Sequence, residues 1–63
     1  MPRHGERYDL ILGHGTIHNF DWQGTEIDRH AWGFGNCFSR RRDAEYARDQ
    51  LKELLVRFHQ DHP

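Results

Sequence analysis

Six histidines and one cysteine in a chain of 63 residues are enough, by number, for a metal centre or a thiol catalyst. Their spacing argues against both. His14 and His18 lie in a stretch of strand character, where four residues span about 13 Å, too far to share one ion. His59 and His62 are three apart at the end of a helical stretch, a workable interval for chelation. Zinc sites draw four ligands in recognisable pairs, however, and no second pair accompanies these two. A histidine near a helix C-terminus also has a simpler role, because its partial charge complements the dipole. Cys37 and His30 have the types of a nucleophile and a base. A reactive thiol needs an electropositive, partly exposed setting, which the arginines that follow could supply. A lone cysteine between Asn36 and Phe38 reads more simply as a small apolar filler. Gly13-His14-Gly15 lacks the third glycine and the following helix of a phosphate-binding loop. Asp9, Asp21, Glu26 and Asp28 are spread over strands and turns and read as a solvated outer sheet face. The expectation is a non-enzymatic protein with no catalytic residue, no cofactor and no metal.

Two features point to binding. Arg40-Arg41-Arg42 falls where a helix should begin. There, free backbone N–H groups and guanidinium forks can converge on an anion. Cations in a first helical turn oppose the dipole at about 0.3–1 kcal/mol each, so the run needs a reason. Asp43 and Glu45 offset part of the cost, and a solvated charge run is the plainer reading. Tyr46 lies away from the apolar side of the same helix, among Arg42, Gln50, Glu53 and Arg57. Tyrosine beside arginine is the composition of protein-binding hot spots, although a lone exposed tyrosine is also ordinary. The expected partner-binding set is Arg40, Arg41, Arg42, Tyr46 and Arg57.

The element that must carry these residues spans 39–60. Ala44, Ala47, Leu51, Leu54, Leu55 and Phe58 recur at helical intervals and fall within about a third of the circumference. Glu53 and Arg57 form a favourably ordered i,i+4 pair. Ser39 is the expected N-cap, with Phe38 before it as a hydrophobic staple. Upstream, residues 1–5 read as a frayed tail. Residues 7–12 form a first strand with Tyr8, Leu10 and Leu12 on one face. Residues 16–22 form a second, with Phe20 and Trp22 opposite Ile17. Residues 26–34 form a third, with Trp32 and Phe34 sharing a face. Gly13–Gly15, Gln23-Gly24 and Gly35-Asn36 supply the turns. The resulting expectation is an α+β fold of order β-β-β-α. A three-stranded antiparallel meander over 7–34 is closed by one helix packed on its aromatic face. Truncating Leu51 or Leu54 to Ala should then cost about 2–5 kcal/mol.

Length allows one domain, 1–63, which buries only about 60% of the surface its unfolded chain exposes. One cysteine permits no intrachain disulfide and fits a reducing compartment. The start, MPRHGERYD, lacks the apolar core of a signal peptide, and no run approaches the roughly 20 apolar residues of a membrane span. A cytoplasmic protein is expected. The net charge of −1 excludes a global nucleic-acid field, though not a local patch.

The string Trp32-Gly33-Phe34-Gly35-Asn36-Cys37-Phe38, followed by Ala44-Glu45 and a leucine-rich helix, resembles small phage and prophage proteins. These end in a strand with a "GN-hydrophobic-F" motif and then a helix opening with "A-E". Trp22-Gln23-Gly24 is similar to their upstream hairpin, so the likeness covers the last two-thirds of the chain. Where those proteins have a Lys-Thr-Lys-Glu-like helix opening, this chain has Ser39-Arg40-Arg41-Arg42. The resemblance implies a viral origin and no mechanism. The expectation that follows is a binding module acting on a host or phage protein, for example an inhibitor of a host defence nuclease complex. The alternative is a small nucleic-acid-binding protein that uses the arginine run with Trp22 or Trp32 as a stacking platform. A homodimer is a further expectation, since a second copy would cover a sheet face left bare.

Overall fold

The structure is a computed structural model that describes residues 1–63. Its centre is one antiparallel hairpin of β1 (Arg7–Ile11) and β2 (Ile17–Asp21), in the register Tyr8↔Phe20 and Ile11↔Ile17. The loop closes on itself. The Gly15 amide donates to the Leu12 carbonyl at 2.9 Å, and the Leu12 amide to the Thr16 carbonyl at 2.8 Å. Gly15 takes φ +88°, a left-handed conformation that costs glycine no Cβ clash. The expected free tail is anchored from Arg3 onward. The Arg3 amide donates to Glu6 Oε1, and the Gly5 amide to the Trp22 carbonyl.

There is no third strand. The segment expected to be one is a helix, α1 (Glu26–Phe34). Both of its ends are specified locally. Thr25 Oγ1 accepts from the Asp28 amide while the Asp28 carboxylate accepts from the Thr25 amide, a reciprocal capping box. At the other end Gly35 turns left-handed at φ +85°, and its amide donates to the carbonyls of Ala31 and Trp32. The alternation of Trp32 and Phe34 suggested a strand, but the cap at each end outweighs two residues of alternation.

Only a remnant of third-strand pairing exists. Asp9 and Phe38 exchange backbone hydrogen bonds in an isolated antiparallel bridge. Two residues earlier the Asn36 amide stands in for a strand. Its Oδ1 accepts from the Ile11 N–H and its Nδ2 donates to the Ile11 carbonyl, both at 2.8 Å. The outer edge of β1 is thereby paired over a short span.

The second helix, α2 (Arg41–Asp61), runs for 21 residues. Its N-cap is Arg40 rather than Ser39, and no side chain caps it. Strand alternation sorts the buried residues between two faces. Tyr8, Leu10 and Trp22 cluster with Ala31 of α1. Ile17 is buried on the opposite face, and Ala44 is the one buried residue of α2. Phe38, paired with Asp9 and therefore on that second face, lines a groove with Ala47 and Leu51 of α2. The hairpin is thus a central layer, with α1 on its aromatic face and α2 on the other.

This arrangement corrects the expectation that the leucine stripe meets Tyr8, Leu10 and Trp22. α2 reaches the sheet through small side chains near its start. Ala44 has no exposed surface, so a larger residue has nowhere to go. Ala44→Leu should cost about 1–3 kcal/mol by overpacking, read as a lowered urea midpoint with an unchanged slope.

Candidate functional site

The length of α2 determines what it exposes. A strand of five residues spans about 17 Å, and a helix of 21 residues about 31 Å. The strands support only the first half of α2. The second half meets no more than the hairpin loop, where Leu51 and Leu55 share a cleft with residues 12–15, and its last turns project from the body. The molecule is accordingly elongated, 43 × 22 × 16 Å.

The projecting half carries the leucine stripe into solvent. Leu51 is 42% exposed, Leu54 61%, Leu55 51% and Phe58 53%. Phe34, at the end of α1, is 87% exposed and shares a groove with Leu51. Between α1 and α2 lies an apolar groove of about 330 Å3, lined by Leu12, Phe34, Phe38, Ala47 and Leu51 among others. The groove opens at the base of the stripe, so groove and stripe form one continuous apolar surface. Its components were legible as a helical stripe, but its exposure was not.

The five residues expected to bind a partner are not gathered into one grip. Successive residues on a helix point 100° apart, so Arg41 and Arg42 diverge. Arg41 lies 3.7 Å from Glu45, and Arg57 lies 3.9 Å from Glu53, each an exposed i,i+4 pair. Exposed pairs of this kind contribute little to stability. Arg40 forms the cap residue. Tyr46 is 70% exposed. Arg42, Tyr46 and Arg57 share the outer side of α2, opposite the apolar stripe.

The other chemistry-bearing residues are held in structural roles. His62 stacks on Phe58 at 4.4 Å between centroids, and His59 meets the edge of the same ring at 5.4 Å. His62 Nδ1 also lies 3.0 Å from the Phe58 carbonyl. Nowhere do three or more His, Cys, Asp or Glu side chains converge as a metal-binding group. Cys37 packs against the Tyr8–Trp22 cluster, and burial pushes its thiol upward, away from the reactive thiolate. Trp22, at 4% exposure, is enclosed and cannot stack on a base, whereas Trp32 is half-exposed.

One acid differs most from its expected place. Asp28 is buried, not on a solvated sheet face. Its Oδ1 accepts from the Tyr8 hydroxyl at 2.5 Å, and its Oδ2 accepts from the amides of Gln23 at 2.8 Å and Thr25 at 3.2 Å. The hydroxyl bond, helped by these two amides, holds its carboxyl at about 2, below the ordinary 3.8. Burial, together with the bond to Asp28 and its charge, drives the Tyr8 phenol upward. Every donor and acceptor of this network is matched, and no unpartnered buried side-chain polar atom remains. Asp28 has the perturbed acidity of a catalytic group without an open path to a substrate. Its role is to tie α1 to β1.

No protein-family model matches this chain, and neither the curated proteins nor the solved structures compared with it gave a match. No helix is long and apolar enough to cross a membrane.

Proposed function

We propose that this chain is a non-enzymatic protein-interaction module whose working surface is the apolar stripe of α2 with the groove at its base. One observation carries the reading: four large apolar side chains in helical register, Leu51, Leu54, Leu55 and Phe58, stand in solvent next to an exposed Phe34. Contiguous exposed apolar surface of this kind marks an association site on a small protein. The occupant is a protein whose contacting surface is itself apolar. Arg42, Tyr46 and Arg57 lie on the outer side of α2 and stay in water when the stripe is covered. That the partner belongs to a phage or its host, as in inhibition of a defence nuclease complex, rests on the resemblance of the last two-thirds of the chain to phage proteins.

The test is a double substitution, Leu54→Glu with Phe58→Glu, in tagged chain expressed in cells. Both positions lie outside the core, so at concentrations where the parent is a single chain the melting temperature should stay within about 4 °C of it, equivalent to less than about 1 kcal/mol. Co-purifying protein, a second copy included, should fall at least tenfold by mass spectrometry. Retention of the same proteins at parental levels would rule out the stripe. The companion variant Arg42→Ala with Tyr46→Ala tests the outer face. It should leave the stripe-dependent contact in place.

A further inference from the structure

We infer that the occupant of the stripe is a second copy of this chain, packed antiparallel along α2 in a two-fold symmetric dimer. This rests on the stripe being a docking surface and goes beyond it by naming what docks.

The first argument is area. A compact monomer of 7.6 kDa exposes about 4,300 Å2, but this chain exposes 5143 Å2. The excess, about 850 Å2, is close to the roughly 800 Å2 that each partner contributes to a standard interface. The radius of gyration agrees. It is 13.1 Å, against about 10.6 Å for a compact domain of this length.

The second argument is self-complementarity. Ala47, Leu51, Leu54 and Phe58 are spaced four, three and four apart, the interval of a two-helix seam. Side chains are small at the base of α2 and large towards its tip. An antiparallel copy sets Leu54 of each chain beside Leu51 of the other. It also sets Phe58 of each chain over Ala47 of the other. Ala47 is part of the wall of the groove between α1 and α2. Each chain thus supplies one large ring and one apolar groove, as a two-fold interface requires. Along the flanks, Gln50 faces Arg57 and Arg48 faces Leu55, so no like charges oppose each other. A parallel copy would stack Phe58 on Phe58. It would also bring both hairpin bodies to the same end of the seam. The antiparallel order separates the two bodies.

Sedimentation equilibrium of the purified full chain from 1 to 300 µM tests the inference. The expected result is a concentration-dependent species of twice the 7.6 kDa chain mass. Leu54→Glu should return it to single-chain mass across that range, with an unchanged Trp22 near-ultraviolet signal showing that the domain is still folded. Spin labels placed by Gln60→Cys in a Cys37→Ser background then report the orientation. Antiparallel pairing holds the two labels more than about 20 Å apart along the axis, whereas parallel pairing holds them about 10 Å apart. A parent that stays at single-chain mass at 300 µM overturns the dimer. A folded Leu54→Glu variant that remains dimeric, or labels at the short distance, overturns it equally. If the parent is monomeric but the Leu54→Glu, Phe58→Glu protein loses its partners in cells, the dimer fails and the docking surface stands. If neither experiment responds to the stripe, both readings fail.

Discussion

Asp28→Ala should leave the chain unfolded at 25 °C, seen as a flat near-ultraviolet circular dichroism spectrum and loss of most helical signal from α1. Several losses coincide. The Tyr8 hydroxyl, enclosed with its ring, is left without an acceptor, and a buried unpaired polar group costs about 1–3 kcal/mol. The amides of Gln23 and Thr25 lose their acceptor, and half of the capping box of α1 disappears. Two controls separate these contributions. Tyr8→Phe removes only the hydroxyl bond and should cost about 1.5–3 kcal/mol, the range for a hydrogen bond to a charged group. Asp28→Asn keeps the shape and much of the cap but loses the charge.

The same network makes stability depend on pH, and the sign follows from the direction of each shift. The Asp28 pKa is lowered from 3.8 unfolded to about 2 folded. Its contribution is therefore complete above about pH 4 and is lost as the pH falls through 3.8 towards 2. The Tyr8 pKa is raised above its ordinary 10. Its contribution is complete below pH 10 and is lost as the pH rises beyond that value. Denaturant midpoints measured from pH 2 to 11 should form a plateau that falls at both ends. Tyr8→Phe should remove the alkaline fall and weaken the acid one. An Asp28→Asn protein with the parental acid slope would show that another carboxylate carries the acid transition.

Trp22→Ala is the second large effect. The apolar cluster under α1 has four buried members, Tyr8, Leu10, Trp22 and Ala31, and Trp22 is its largest. Its ring meets Tyr8 edge-on at 5.8 Å between centroids. Truncating a buried tryptophan costs about 3–5 kcal/mol through lost burial and the cavity left behind. Eight of the 63 residues are buried, so neighbours have little capacity to collapse into the gap. The variant should lose most of its folding free energy, with a urea transition beginning at or below the lowest concentrations. Substituting Leu54 by Ala gives a deliberate contrast. As the largest member of the exposed stripe by accessibility, it should change the stability of the single chain by less than about 1 kcal/mol. The 2–5 kcal/mol expected from its place in the stripe applies only where that stripe is buried.

Several parts of this architecture are legible in the chain alone. The 44–58 stripe specifies a helix, because only a 3.6-residue turn brings those six residues to one side. Gly13-His14-Gly15 between two alternating runs specifies a hairpin, because Gly15 must adopt a left-handed backbone. Thr25-Glu26-Ile27-Asp28 followed by Gly35 also carries the start and stop signals of α1. Trp32 and Phe34 mask them by suggesting strand alternation, which the paired caps override. What the chain alone does not determine is where these elements meet. Asp28 is an acid in a polar stretch until Tyr8, 20 residues earlier on another element, closes over it. The leucine stripe counts as core until the hairpin proves about half the length of α2. Local sequence encodes helix period, turn geometry and caps because these interactions span only a few residues. Burial depends on whether another surface extends far enough to cover a side chain, and here the tertiary structure leaves the second half of α2 uncovered.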